Sequence, residues 1–185
     1  MKYSNLFLVC LILGIISSCY SQKCTATIEG NSFDLSPLMK SSGDSDYSYT
    51  DDAGNTFYFN LCNYTVSNPC GGSDQQVYAY KIDGKTQKCS VLATDKESWQ
   101  LHNYDGEDET SVILEYKGGD QIKKFSKDRY KLSYVFHCDN SVGPGTPTIS
   151  EIGEYSHVVV HWTSQYGCRK SSSDDNSIFH ISKNY

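Results

Sequence analysis

The chain has 185 residues, a formal net charge of −6 and 13% aromatic residues. That length suits one domain of ordinary size with its own hydrophobic core. An acidic chain in which no basic cluster stands out is a poor candidate for binding nucleic acid or an anionic membrane surface. We therefore expect a protein whose partners are neither.

Residues 1–21 predict a secretory signal peptide, because Lys2 precedes the apolar run LFLVCLILGII and small residues lead up to Ser21. A buried N-terminal helix is the disfavoured alternative, and the run is too short to span a membrane. Cleavage would leave residues 22–168 as a β domain and 169–185 as a polar, mobile tail, and losing Lys2 would change the net charge from −6 to −7. We expect the product to be secreted or to reside in the lumen of the secretory or endolysosomal pathway, with no membrane span.

Six cysteines remain after the signal peptide, and an even count in a secreted chain predicts three disulfides rather than a metal site. Six cysteines allow 15 pairings. There is no CxxC spacing, so a zinc site is not expected. We expect nearest-neighbour pairing: Cys24–Cys62, Cys70–Cys89 and Cys138–Cys168.

Alternation of apolar and polar residues predicts strands along the whole chain, and no segment has sustained helical periodicity. Residues 24–38 contain two short strand-like pieces, and residues 47–59 predict a hairpin. Residues 76–93 predict two strands around the turn at Asp83-Gly84, and residues 98–117 predict a strand pair across an acidic tip.

Two further runs, in residues 129–138 and 157–168, each end in a cysteine, and the loop GPGTP lies between them. A period of two predicts an antiparallel pair with one face on the core. The expected inward residues are Leu132, Tyr134, Phe136, Val158, Val160 and Trp162. The fold class predicted is all-β: a flattened antiparallel β-barrel or sandwich of eight to ten strands, stapled by three disulfides.

Several segments resemble the mannose 6-phosphate receptor homology domain in consistent order over residues 24–168. CTATIEGNSFDLSPL and GNTFYFNLC resemble its opening, and SVILEYKGGD resembles a central strand and turn of the cation-dependent receptor. KLSYVFHCD resembles the family's arginine-led strand, and the Trp162-to-Cys168 spacing resembles its closing motif, although Thr163 sits one place early. The resemblance implies a flattened barrel that binds a mannose-type sugar through a glutamine, an arginine, a glutamate and a tyrosine. Such a set suits vicinal hydroxyls, because a carboxylate accepts and a guanidinium donates hydrogen bonds.

Carried over position by position, the resemblance gives five candidate sugar-binding residues: Arg129, Glu151, Glu154, Gln76 and Tyr155. For each of them the alternative is an ordinary surface residue.

The sequence also departs from the family pattern. Arg129 lies one residue too far from Cys138, which would turn it to the opposite face of the strand unless a bulge intervenes. The register that we expect puts Tyr80 at the glutamine position, and the family's spacing from the tryptophan puts Val158 at the tyrosine position. The loop 139–157 lacks the family's two extra cysteines, so GPGTP is expected to be unpinned.

No nucleophile, phosphate-binding or dinucleotide motif is present, so we do not expect an enzyme. His157 and His161 are interpreted as surface imidazoles, and we expect no metal and no cofactor. Asn63 begins an N-glycosylation sequon. Two functions remain open. One is a lectin for mannose-type N-glycans on glycoproteins, with plain mannose favoured over phosphomannose. The other is the same fold with a degenerate sugar site, acting as an accessory module for a membrane or lumenal protein.

Overall fold

A computed structural model describes residues 23–68, 70, 76–103, 110–123, 127–152 and 156–170. The predicted signal peptide, residues 104–109 of the predicted acidic tip and tail residues 171–185 lie outside these ranges. The described residues contain no helix long and apolar enough to cross a membrane. Their strands are β1 (Thr25–Ile28), β2 (Asn31–Asp34), β3 (Tyr47–Thr50), β4 (Thr56–Phe59), β5 (Ala79–Ile82), β6 (Cys89–Asn103), β7 (Thr110–Gly118), β8 (Lys131–Cys138), β9 (Thr148–Ile152) and β10 (His157–Ser164).

Eight of these strands form one sheet that curls into a nearly closed barrel, which confirms the predicted fold class. The strand order is β3-β4-β5-β6-β7-β8-β10-β9, and β1 and β2 form a separate antiparallel hairpin. The predicted β3–β4 hairpin is present, with Tyr47 opposite Phe59. β3 and β9 are the two edge strands. Because the sheet curls, its β9 edge approaches the β3–β5 end, and side chains from β5 and β9 can meet across the barrel.

The pairing of β8 with β10 corrects the antiparallel prediction, because the two strands run parallel, with Leu132 opposite Val158 and Phe136 opposite Trp162. The physical reason is β9, a strand that the sequence pattern did not predict. β9 lies on the far side of β10 and forms an antiparallel pair with it, so the chain reverses twice between β8 and β10. Parallel pairing puts the carboxyl ends of β8 and β10 together, next to the cystine Cys138–Cys168.

Two other strands differ from their predicted extents. β5 covers only Ala79–Ile82 of the predicted 76–82 strand. Residues 89–103, predicted as two separate strands, form the single long strand β6. Register shifts in its pairing with β7, between Ala93 and Asp95 and between Lys96 and Ser98, bend it without ending it.

The barrel interior is filled by aromatic side chains, and two tyrosine hydroxyls there have defined partners. Tyr134 is fully buried and donates to the Asn60 carbonyl oxygen at 2.9 Å. The Tyr116 hydroxyl accepts from the Cys62 N–H at 2.9 Å. Burial raises the pKa of Tyr134 well above its usual value and also raises the pKa of Tyr116, so both remain neutral donors and acceptors. They hold the turn after β4, where Cys62 has a φ of 53°.

All three disulfides have the predicted nearest-neighbour pairing: Cys24–Cys62, Cys70–Cys89 and Cys138–Cys168.

The expectation that GPGTP is unpinned is wrong, because hydrogen bonds replace the missing disulfide. Trp162 Nε1 donates to the Pro144 carbonyl oxygen at 2.8 Å. The Gly143 carbonyl oxygen accepts from Ser164 Oγ at 3.0 Å and from the Gln165 N–H at 2.9 Å. A Cβ on Gly145 would overlap the Thr163 carbonyl oxygen, and its φ of 70° favours glycine. The loop is therefore fixed against the end of β10.

Candidate functional site

The turn after β7 holds Arg129 in place. Arg129 forms an isolated antiparallel bridge with Gln121, and its Nη1 donates to the Gly119 carbonyl oxygen at 2.9 Å. Gly119 lies so close to the neighbouring chain that a Cβ there would be 2.6 Å from Tyr130 Cβ and 2.5 Å from the Leu92 carbonyl oxygen. The YKGGD motif thus acts as a close-packed support for the arginine.

Arg129 is exposed on the outer face of the barrel, as Lys131 is, whereas Tyr130 packs against the core with Leu132. This alternation agrees with the one-residue offset from Cys138 noted in the sequence. The guanidinium therefore lies on the face opposite to the one that the family's spacing predicts.

Arg129 lines a surface depression of about 710 Å³, which we call the basic depression. Its described lining residues are Asp95, Lys117, Gly118, Lys127, Asp128, Arg129, Tyr130, Lys131, Ser156 and His157.

Glu151 lies elsewhere, in an ion pair between β9 and β5. Its Oε1 is 2.7 Å from Lys81 Nζ, and the two side chains are only 10% and 11% exposed. Lys81 Nζ also lies 5.1 Å from the centroid of the Phe57 ring. Lys81 faces inward, because it is opposite the buried Phe57 on β4, and Glu151 faces inward because it is opposite the buried Val158 on β10. The ion pair therefore spans the barrel at one of its ends.

The ion pair lies in a second depression, of about 480 Å³, which we call the ion-pair depression. Its described lining residues are Asp51, Ala53, Asn55, Lys81, Asp83, Lys85, Ile122, Tyr130 and Glu151. Tyr130 lines both depressions, so the structure places the candidates Arg129 and Glu151 on opposite sides of one tyrosine and in different depressions.

The other candidate positions do not complete a sugar site in the described residues. Gln76 is exposed and is not among the described residues lining either depression. Tyr80 is fully buried on the outer side, where it stacks on Tyr58 at 5.0 Å and bonds Ser67 Oγ at 3.1 Å, and burial raises its pKa to about 12. Val158 is a core residue. The candidates Glu154 and Tyr155 lie outside the described residues.

The sequon residue Asn63 is half-buried beside the Cys62 turn. Its Nδ2 donates to the Lys40 carbonyl oxygen at 3.0 Å, and its Oδ1 accepts from the Tyr64 N–H at 2.9 Å. Glycosylation of Asn63 stays a prediction.

The outer face of the β7–β8–β10–β9 region carries three histidines, each close to a serine on a neighbouring strand. The shorter contacts are Ser133 Oγ to His157 Nε2 at 2.8 Å and Ser150 Oγ to His161 Nε2 at 3.1 Å. Burial lowers the pKa of His157 and of His161 below the usual 6.5. The part of the chain that the structure describes contains no group of three metal-ligating side chains.

Lys81 is the site residue that the sequence analysis missed. A usable signal was present, since a lysine in the middle of the apolar strand AYKI must find an anionic partner if it is buried. Which carboxylate that would be could not be read from the sequence, because Glu151 is 70 residues away.

Two solved structures share this fold. Domain 11 of the echidna mannose 6-phosphate/IGF2R receptor is 20% identical with a TM-score of 0.56, over 81% of this chain and 96% of that one. Chicken IGF2R domain 11 is 21% identical with a TM-score of 0.58, over 78% and 90%. These likenesses show the fold alone. They define a β domain with the fold of these receptor domains.

Sequence comparison names the family. The model of the Autophagy-related protein 27 family matches residues 6–179, and the chain belongs to that family. An uncharacterized protein of Dictyostelium discoideum is 35% identical over 162 residues, which are 88% of this chain and 41% of that protein. The cation-independent mannose-6-phosphate receptor of Homo sapiens is 27% identical over 157 residues, or 83% of this chain and 6% of the receptor. The chain thus spans less than half the length of both relatives.

Proposed function

We propose that this protein is a non-enzymatic accessory module of the secretory or endolysosomal lumen, which has lost the family's sugar site and acts by binding a protein partner. The Lys81–Glu151 ion pair carries the proposal. A carboxylate that recognises a sugar must accept hydrogen bonds from its hydroxyl groups, and here Glu151 is largely buried and bonded to Lys81. The name of the family points to an autophagy-related process as the setting.

The other positions support the same proposal. Arg129 is exposed and lines a different depression from Glu151. Val158 offers no hydrogen-bonding group and is buried. A mannose ring in the ion-pair depression would therefore lack the donor and acceptor pair that fixes its vicinal hydroxyls.

A lectin for mannose-type N-glycans, phosphomannosyl glycans included, is the second candidate, and one observation favours it. The ion-pair depression has polar side chains around its rim, among them Asp51, Asn55 and Asp83, so it could bind hydroxyl groups with a set of ligands different from the family's.

The deciding experiment is binding of the secreted, disulfide-intact protein to high-mannose, phosphomannosyl and complex glycans on an array. We expect the protein to bind no glycan. A mannose-binding lectin applied to a parallel array shows that the immobilised mannose glycans are accessible. Mannose-dependent binding that an Asp83→Asn or Asn55→Ala variant abolishes, with Lys88→Ala as the matched surface control, would overturn the accessory proposal and establish the lectin.

A cellular experiment tests the proposed link to an autophagy-related process. Cells lacking the gene should deliver less of an autophagic cargo reporter to the degradative compartment, and the wild-type gene should restore delivery. Unchanged delivery in the deletion strain would remove the autophagy-related part of the proposal.

A further inference from the structure

The basic depression has a charge opposite to that of the whole chain. Four basic side chains, those of Lys117, Lys127, Arg129 and Lys131, line it together with the carboxylates of Asp95 and Asp128, in a protein whose net charge is −6. Three of these cations lie within five residues of the sequence, KDRYK at 127–131, a run that the sequence analysis overlooked, and the β7–β8 pairing adds Lys117 from the end of β7. A local excess of positive charge attracts anionic ligands even on an acidic protein.

The central cation is held in a fixed position. Tyr130 N–H donates to the Asp120 carbonyl oxygen at 3.1 Å, and Ile122 N–H donates to the Asp128 carbonyl oxygen at 3.2 Å, which fixes the backbone on both sides of Arg129. Its guanidinium uses one N–H on Gly119, and a guanidinium has five. A planar cation anchored at one corner is suited to bind a carboxylate with two parallel hydrogen bonds.

The spacing of the cations indicates the shape of the ligand. Arg129 and Lys131 are separated by Tyr130 where the chain enters β8, and alternate residues of an extended segment are about 7 Å apart, while Lys127 precedes them at a bend. The positive charges therefore form a row. A single phosphate group would contact one part of it, whereas an extended ligand with repeated anionic groups could follow it.

The two carboxylates distinguish between extended anionic ligands. A uniformly sulfated polysaccharide would bring its negative charges against Asp95 and Asp128, and like charges repel. A peptide can place acidic side chains at Arg129 and Lys131 and an N–H or hydroxyl donor at the Asp95 carboxylate. A depression of about 710 Å³ has room for a few such residues.

We propose that the basic depression is the docking site for an extended acidic peptide segment of the partner protein, in which acidic residues alternate with small polar ones. This inference rests on the accessory function proposed above and names the chemistry of the partner. Arg129, the candidate sugar ligand of the sequence analysis, is assigned here to peptide recognition.

The test is fluorescence anisotropy with the complete secreted protein and a labelled eight-residue peptide of alternating Glu and Ser. We expect saturable binding that weakens as the salt concentration rises, and at least a tenfold weaker interaction with the matched Gln-Ser peptide. Arg129→Ala should weaken binding about tenfold, as expected for loss of a charge-assisted bidentate contact, and Arg129→Lys should restore part of it.

Two variants keep the test independent of folding defects. Lys127→Glu with Lys131→Glu changes only exposed side chains and should abolish binding, while Lys88→Ala, an exposed lysine outside the depression, should leave it unchanged. Absence of peptide binding, equal binding by Arg129→Ala, or tighter binding of a heparin oligosaccharide or of anionic lipid vesicles would overturn the inference. If neither the peptide nor any glycan binds, only this inference is refuted. If glycans bind on the array, the proposed function itself is refuted.

Discussion

The Lys81–Glu151 ion pair gives the sharpest test of the site as described. At 2.7 Å and an effective dielectric constant of about 20, the two charges attract each other by roughly 6 kcal/mol. Burying both ions costs several kcal/mol each, so the intact pair contributes little net stability. Removing one partner leaves the other charge uncompensated in a site where each side chain is about nine-tenths buried. We therefore expect Lys81→Met and Glu151→Gln each to lower the free energy of unfolding by about 3 kcal/mol.

The double variant Lys81→Met/Glu151→Leu replaces both charges with apolar side chains of similar volume. Because no unpaired charge remains, we expect it to lie within about 1 kcal/mol of the wild type, which corresponds to a coupling energy of several kcal/mol. Equilibrium unfolding in urea with the disulfides intact measures these differences as shifts in the midpoint. Lys85→Met is the matched control, since Lys85 lines the same depression but is exposed, and it should change stability by less than about 0.5 kcal/mol.

Single variants that each cost less than about 0.5 kcal/mol would refute this reasoning, because they would mean that the pair is solvated. The Glu151 carboxylate would then be accessible to a sugar hydroxyl. The same outcome would therefore remove the observation on which the accessory proposal depends.

Three further predictions follow from burial elsewhere in the barrel. Burial lowers the pKa of His157 and His161 below 6.5, so the folded state disfavours their protonation. The free energy of unfolding should therefore have its full value above about pH 6.5 and fall as the pH decreases below it. The slope should be at most about 1.4 kcal/mol per pH unit for each histidine, and less after solvent screening. Urea midpoints between about pH 7.5 and pH 5.5 measure this slope. A His157→Asn/His161→Asn variant that kept the full slope would contradict the prediction. Tyr134→Phe leaves the Asn60 carbonyl oxygen without its 2.9 Å donor and should cost about 1–3 kcal/mol in a thermal melt, whereas a variant as stable as wild type would mean that the bond contributes nothing. Replacing both cysteines of the 38-residue Cys24 loop with alanine should cost about 4 kcal/mol, and a loss below about 1 kcal/mol would mean that chain-entropy restriction is not its main effect.

The inward and outward faces of the strands could be predicted from the sequence. Successive side chains of a strand point to opposite faces, so only two assignments of the inward face are possible, and burial of the apolar set selects one of them. Leu132, Tyr134 and Phe136 are accordingly core residues both by prediction and in the structure. The same local rule predicts the consequence of the Arg129 offset. The period of two does not give the relative direction of two paired strands, because a parallel and an antiparallel strand bury the same alternate residues. The parallel β8–β10 pairing could not be deduced for that reason.

The strand β9 was missed for a related reason. TISEI contains two apolar residues and lies at the edge of the sheet, where only one neighbour constrains the pattern. Its Glu151 looked like an exposed loop carboxylate. Only the barrel closure, which brings β5 opposite β9, gives that carboxylate its partner Lys81.

The segment at Arg129 shows how a change of one residue in register can separate two functions on one strand. Its inward residue, Tyr130, packs on the core and forms part of the wall of the ion-pair depression. Its outward residues, Arg129 and Lys131, belong to the basic depression. With the family's spacing, the arginine would be one residue closer to Cys138, in the inward position that Tyr130 occupies here. Here Lys81 supplies the positive charge for Glu151 inside the barrel, and Arg129 lies on the outer surface, where it can meet an acidic partner. The inward and outward residues of this segment thus line two different depressions, and a variant that broke the ion pair without affecting peptide binding would show that the two depressions act independently.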